Sequence, residues 1–340
     1  MSEVTRLDTR RRQKQLERSG HRLEDVMEHL DREFQRLDSR IQELSERWES
    51  AQQAGKLEGW FEEFLQVLSK IIRIADLRRF LQADEVDEFG LDVEFEEKIQ
   101  PFFDFLFNHY WRIEVKGIKN LPLSGAALMV ANHSGTVPYD GAMIKMAVRR
   151  KHPKKREVRF LVEDFVYHFP FLGTFMYRIG GVRACPENAQ RLLSKGEAVL
   201  SFPEGVKGIG KLYRDRYRLQ RFGRGGIVRL AMKAQAPIVP VAVVGAEEIH
   251  PTVHKMGWFA RLLGVPYIPI TPTFPLLGPL GLIPLPTKWR IEFGEPIPFD
   301  QYTPAQIDNP ILINRLTEDV RQKIQVMLAD TLRKRTSIWS

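Results

Sequence analysis

The chain has 340 residues, enough for one large domain and an accessory element. Hydrophobic residues make up 43% and charged residues 28%, proportions of a folded globular protein that exclude wholesale disorder and a polytopic membrane protein. The lone cysteine, Cys185, excludes an internal disulfide and cysteine-rich zinc modules, and a formal charge of +8 favours an anionic partner: nucleic acid, a phospholipid surface or a phosphorylated ligand.

The first residues, Met1 to Gln15, are polar and arginine-rich, unlike a secretory signal peptide. From Leu23 to Trp48 the apolar residues Leu23, Met27, Leu30, Phe34, Leu37, Ile41, Leu44 and Trp48 alternate spacings of three and four, which makes a heptad seam. A second amphipathic stretch, Trp60 to Leu77, gathers Trp60, Phe61, Phe64, Leu65, Leu68, Ile71 and Ile72 on one broad face. The two predict a helical hairpin over residues 1–83, turning near Ala54-Gly55. Its plainest role is an appendage or a homodimer seam, with membrane binding as the alternative. The acidic, aperiodic stretch Asp84 to Glu97 reads as a linker.

From Lys98 to Ser340 short β-rich runs alternate with helical ones, which predicts an α/β domain with a mixed sheet flanked by helices. Strands are expected at Trp111–Val115, Ala127–Val130, Val158–Val162, Ala198–Phe202, Ile238–Val244 and Lys288–Phe293. Helices are expected at Gly141–Arg150, Pro186–Ser194 and Gly225–Ala234. No run of about 18–20 apolar residues occurs, so membrane contact is expected to be peripheral or monotopic.

Two strand ends run into chemically suggestive turns, the position where α/β folds carry their functional groups. The first is Asn132-His133-Ser134-Gly135-Thr136-Val137-Pro138-Tyr139-Asp140. Folded back, Asp140 accepts the Nδ1 proton of His133 and leaves Nε2 as a base for a substrate hydroxyl. Taken singly, His133 reads equally as a satisfied core histidine and Asp140 as a helix N-cap. The second turn is Phe202-Pro203-Glu204-Gly205, followed by Lys207, Lys211 and Arg214. A carboxylate beside cations suggests a phosphorylated ligand, with Glu204 either orienting those cations or binding a glycerol hydroxyl.

These blocks resemble, in order, those of the glycerolipid and lysophospholipid acyltransferase family. Asn132-His133 with Asp140 is similar to the first block, Gly180-Gly181-Val182-Arg183 to the second, Phe202-Pro203-Glu204-Gly205 to the third and Ile238-Val239-Pro240-Val241-Ala242 to the fourth. The resemblance covers roughly Trp111 to Pro298, and the ordered set is far more specific than any single block. One departure is the loop of six residues, Ser134 to Tyr139, between histidine and aspartate, longer than the family's commonest spacing. The proline-rich stretch Trp258 to Trp289 resembles the branch near type 2 diacylglycerol acyltransferases and phytyl-ester-forming enzymes.

The resemblance implies that His133 and Asp140 transfer a fatty acyl group from acyl-CoA or acyl-carrier protein to a lysophospholipid or related glycerolipid, with no metal and no cofactor. Acyl transfer to diacylglycerol or a long-chain alcohol is the enzymatic alternative, and a non-catalytic lipid-binding scaffold the other. It further implies phosphate contacts from Arg183 and Lys207, positioning of the acceptor by Glu204, and oxyanion donors from the backbone near Gly205. Arg224 and Gly225, in Phe222-Gly223-Arg224-Gly225-Gly226-Ile227, suit a phosphate of coenzyme A at a helix start, or simply close packing.

The basic run Arg149 to Arg156 reads as a solvated loop or a contact for anionic headgroups. Few aromatics interleave with it and no nucleic-acid motif accompanies it, so a nucleic-acid partner is not expected. The expected location is the cytoplasmic face of a membrane. Trp258 to Pro286, rich in apolar residues and prolines, is expected to dock on lipid, with Trp258 and Trp289 in the headgroup layer, or else to form a buried core loop.

Overall fold

A computed structural model describes residues 86–134, 139–168, 172–257, 260 and 266–340, together with Arg32, Arg36 and Ser39. The predicted N-terminal hairpin therefore lies outside the described residues, apart from those three, which are helical. Trp258 and the loop residues 135–138 also lie outside them. The chain divides into two compact units: Met1–Glu85 with Glu97–Phe102, and Val86–Glu96 with Phe103–Ser340. The second unit carries the sheet and the site.

Helix α1, Val93–Phe105, begins inside the stretch read as a linker. The acidic residues that suggested a solvated linker are a helix start instead. Asp92 accepts the N–H of Phe95 at 2.8 Å, and Glu94 and Glu96 fill the first turn, where the helix dipole favours negative charge.

The main sheet has seven strands in the order β1-β9-β6-β2-β5-β3-β4. They are β1 Glu114–Lys116, β2 Ala127–Ala131, β3 Val158–Val162, β4 Gly181–Arg183, β5 Ala198–Ser201, β6 Ile238–Val244 and β9 Arg290–Phe293. All neighbours run parallel except β6 and β9. The remaining strands, β7 His254–Met256 and β8 Ile268–Ile270, form a separate antiparallel pair. Strands β2 and β6 are buried along their whole length, as expected for apolar runs covered on both faces. Pro240 sits within the interior strand β6 because β9 bulges there. Ladder pairing stops at Val241 and Phe293 and resumes at Ile238 and Ile297, so the missing proline N–H breaks no bond.

The other helices are α2 Tyr139–Lys151, α3 Leu172–Arg178, α4 Pro186–Ser194, α5 Val206–Ile209, α6 Gly226–Ala234 and α7 Pro310–Arg333. The last starts at Asn309, whose side chain accepts from the N–H groups of Ile311 and Leu312, with Pro310 at the first helical position. Along α7, Ile313, Leu316, Val320, Ile324 and Leu328 make one buried stripe. They join Ile227, Val228, Ala231 and Met232 of α6 and the sheet residues Leu128, Val199 and Ala242 in one core.

Trp289 corrects the expectation of a headgroup tryptophan. It is fully buried and stacks on Trp111, ring centroids 4.6 Å apart. Tyr110 and Trp111 donate to the carbonyls of Pro284 and Leu285, so the end of the proline-rich stretch is core.

Candidate functional site

Because β2, β3, β4, β5 and β6 run parallel, the turns that follow them meet at one edge of the sheet. His133 follows β2, Glu163 follows β3, Phe202 to Gly205 follow β5 and Glu247 follows β6. This is the edge where open α/β sheets bind ligands.

His133 Nδ1 lies 2.8 Å from Asp140 Oδ2. The same oxygen accepts the Ser134 N–H at 2.9 Å and the Ser134 hydroxyl at 3.2 Å, while Oδ1 accepts the Gly141 N–H at 2.9 Å. The other three contacts of Asp140 are N–H or O–H donors, so its carboxylate is placed to accept an Nδ1–H from His133 as well. In that tautomer Nδ1 bears the proton and Nε2 is the acceptor nitrogen. The Phe202 ring stacks on the imidazole, centroids 4.3 Å apart and planes 19° off parallel, restricting its rotation. Ser134 gives its hydroxyl to Asp140 and not to the imidazole, so it does not complete a serine triad.

Behind the imidazole lies a buried charge network. The backbone N–H of His133 donates to Glu204 Oε1 at 3.0 Å, and Glu204 Oε2 accepts the Gln220 N–H at 2.7 Å. Lys211 Nζ bridges Glu204 Oε2 at 3.2 Å and Glu247 Oε1 at 2.8 Å. Glu247 Oε2 accepts the Tyr217 N–H at 2.8 Å. Asn132 closes the network: its amide exchanges two hydrogen bonds with the backbone of Val243, at 2.8 and 3.0 Å, fastening the end of β2 to β6. Burial works against the Lys211 ammonium, yet the Glu247 and Glu204 carboxylates outweigh it and hold its pKa above the ordinary lysine value. Burial pushes the Glu247 carboxyl up in spite of Lys211. Of the two roles expected for Glu204, the geometry provides the orienting of a cation.

In front of the imidazole opens a cavity of ≈ 700 Å³, within the usual range for small-molecule sites. His133, Asp140 and Glu163 share its wall with mostly apolar side chains, among them Phe160, Val166, Met176 and Ile268. No Lys or Arg among the described residues lines it. The proline-rich stretch supplies part of the wall through Pro266 to Pro269, Phe274 and Leu282. The Tyr267 hydroxyl ties it to the Ile209 carbonyl of α5 at 2.7 Å.

The other expected site residues are placed differently. Gly205 lines the cavity. Arg183, at the end of β4, grips Asp164 through two bonds of 2.6 and 2.7 Å, with both side chains more than half exposed. Lys207 is exposed on α5 and does not line the cavity. Arg224 is exposed and its carbonyl accepts from Arg229. A Cβ on Gly225 would stand 2.2 Å from Ile313 Cγ2, so this glycine lets α6 and α7 pack closely. In the basic run, Arg150 bonds Asp104, and Arg156 donates to the carbonyls of Pro122, Gly125 and Gly196. In the sequence Lys211 stands out only as one cation of the Glu204 turn, and Glu247 does not stand out at all. The partnership spans 36 positions, with nothing local to announce it beyond the pair Glu247-Glu248 at a strand end.

The Acyltransferase family profile matches residues 112–244, which contain the His133 loop, the Glu204 turn and all of β6. An uncharacterised protein of Mycobacterium leprae (strain TN) is 49% identical over 265 residues, 77% of this chain and 72% of its own length. A Gallus gallus protein described as a DGAT1/2-independent enzyme synthesizing storage lipids is 27% identical over 194 residues, 57% of this chain and 54% of its own length. The chloroplastic 1-acyl-sn-glycerol-3-phosphate acyltransferase LPAT1 of Arabidopsis thaliana is 25% identical over 154 residues, 42% of this chain and 39% of its own length. Among solved structures, the 1-acyl-sn-glycerophosphate (LPA) acyltransferase PlsC of Thermotoga maritima aligns with a TM-score of 0.48 and 16% identity over 81% of this chain and 95% of that chain. The chain belongs to the glycerolipid acyltransferase family, and its reaction class is O-acyl transfer in lipid metabolism.

Gly208 tests how tightly the network is built. A Cβ there would stand 2.7 Å from Glu204 Cβ and 2.8 Å from His133 Cβ, so any side chain must push the base or its support aside. Gly208→Ala is predicted to lower acyl transfer by at least about tenfold, since a displacement of about 1 Å can cost 10²-fold. Circular dichroism should show a folded protein. Unchanged turnover would mean that the imidazole does not need this position.

Proposed function

We propose that the protein transfers a fatty acyl group from an acyl-CoA or acyl-carrier-protein thioester to a hydroxyl of a glycerolipid at a membrane surface. The observation that carries this reading is the His133–Asp140 pair in the wall of a largely apolar cavity. His133 Nε2 takes the proton of the acceptor hydroxyl, and the freed oxygen attacks the thioester carbonyl carbon. Asp140 stabilises the imidazolium that results. The tetrahedral oxyanion needs N–H or O–H donors, and the Gly205 N–H expected for this role is given instead to the Phe202 carbonyl at 3.0 Å. Its collapse expels the thiolate, which recovers the proton from His133 and leaves as the thiol. The apolar wall receives an acyl chain, whose burial is worth about 0.8 kcal/mol per methylene.

Two acceptor classes fit this chemistry. A lysophospholipid agrees with the Arabidopsis relative and requires a phosphate to reach Arg183 or Lys207. A neutral acceptor agrees with a cavity wall that has no Lys or Arg among the described residues, and with the Gallus relative.

For the membrane surface, the support is the exposed pair Leu276 and Leu277, 84% and 53% accessible, on the stretch that also lines the cavity. No helix among the described residues is long and apolar enough to cross a membrane. An exposed apolar site beside the cavity gives a lipid a short path from a bilayer to the base.

His133→Ala should lower acyl transfer about 10²–10⁴-fold, the worth of a general base, with the fold intact. Asp140→Asn should be severely impaired as well, and near-normal turnover in either variant would remove the mechanism. A folded Leu276→Asp, Leu277→Asp variant should lose flotation with anionic liposomes. Retained flotation would place the membrane contact elsewhere.

A further inference from the structure

Glu163 is a charged group in the cavity wall that the transfer chemistry leaves unused. It follows β3 directly, at the sheet edge that also carries His133, and lines the cavity with His133, Asp140 and Gly205. Its Oε1 stands 2.9 Å from the point where a Cβ on Gly205 would be, so the carboxylate lies against the turn that follows β5. The cations nearby in sequence and fold do not line the cavity. Arg183 is held by Asp164 through two bonds, and Lys211 is buried between Glu204 and Glu247. Lys207 is absent from the wall, as is every other described Lys and Arg. Glu163 is itself exposed, and an acceptor that enters with its hydroxyl toward His133 meets its carboxylate and, among the described residues, no Lys or Arg in the wall.

A carboxylate accepts hydrogen bonds and repels anions. In the same cavity wall as the base, it accepts from a second hydroxyl of the acceptor and disfavours a phosphomonoester, which carries up to two negative charges near neutral pH. A repulsive element of this kind sets specificity as effectively as an attractive one. We propose that Glu163 is the acceptor-specificity residue of this acyltransferase, and that the preferred acceptor is an uncharged glycerolipid with a second free hydroxyl, such as a monoacylglycerol. Glu163 takes no part in the bond changes, which remain those of His133, the acceptor oxygen and the thioester. The inference rests on the acyl-transfer reading and narrows its acceptor.

The test compares two acceptors that carry the same acyl chain and differ only in a phosphoryl group, 1-monoacylglycerol and lysophosphatidate. The purified full chain is assayed in mixed micelles with acyl-CoA and with acyl-carrier-protein donors. The wild type should show a kcat/KM for monoacylglycerol at least about tenfold above that for lysophosphatidate, the scale of one charged hydrogen bond. Glu163→Gln, which keeps the shape and removes the charge, should close most of that gap, chiefly by lowering KM for the phosphorylated acceptor. Glu163→Lys should invert the preference. If the lysine variant does not fold, the glutamine variant alone decides. A wild type that prefers lysophosphatidate, or a preference unchanged by Glu163→Gln, overturns the assignment. A folded wild type that acylates no acceptor from either donor overturns the acyl-transfer reading, and the Glu163 assignment falls with it. Transfer to some acceptor with an indifferent Glu163 overturns the assignment alone.

Discussion

The backbone N–H of His133 is donated to the carboxylate of Glu204, which lies wholly inside the protein, and the energetics of that burial organise the rest of the site. An ionised carboxylate without partners is too costly to keep in an interior, so Glu204 must be surrounded by donors. Lys211, Gln220 N–H and His133 N–H supply them. Lys211 in turn needs its second carboxylate, Glu247, and Glu247 needs Tyr217 N–H. Removing one partner of such a buried set usually costs about 3–5 kcal/mol, because the remaining charge stays behind. The network therefore fixes the histidine backbone from behind, while Asp140 and Phe202 fix its ring from the front.

This division explains why a loop can carry a precise base. The Ser134–Tyr139 segment is longer than is usual in the family, yet neither end of the dyad depends on it alone. His133 is anchored at the end of β2, where Asn132 fastens that strand to β6. Asp140 is anchored in the first turn of α2 by the Gly141 N–H. The intervening residues need only connect two points that the sheet and helix already hold.

Much of this is legible in the sequence, for physical reasons that differ from residue to residue. Strands β2, β3 and β6 are apolar runs between turn residues, and α4 begins at a proline, so their limits follow from local preferences. The His133 and Glu204 turns stand out because polar residues end apolar runs. The Lys211–Glu247 partnership is not legible, since it joins two loops by tertiary contact. Helix α1 is hidden by its own acidic first turn, which imitates a linker. The start of α7 is marked by Asn309-Pro310, a side-chain cap followed by proline at the first helical position. Trp289 reads as an interfacial anchor from its flanking lysine and prolines, whereas its stacking on Trp111 is visible only in three dimensions.

The apolar wall, the single base and the absence of a hydroxyl or thiol bonded to that base among the described residues make one statement about mechanism. In the proposed function the acceptor oxygen attacks the thioester itself, while both substrates are bound. Two-substrate steady-state kinetics test this most directly, with thioester donor and glycerolipid acceptor varied together. The account predicts intersecting double-reciprocal lines, the mark of a ternary complex, and no acylated protein when donor alone is added. Parallel lines together with a stable acylated protein would show a covalent intermediate and contradict it.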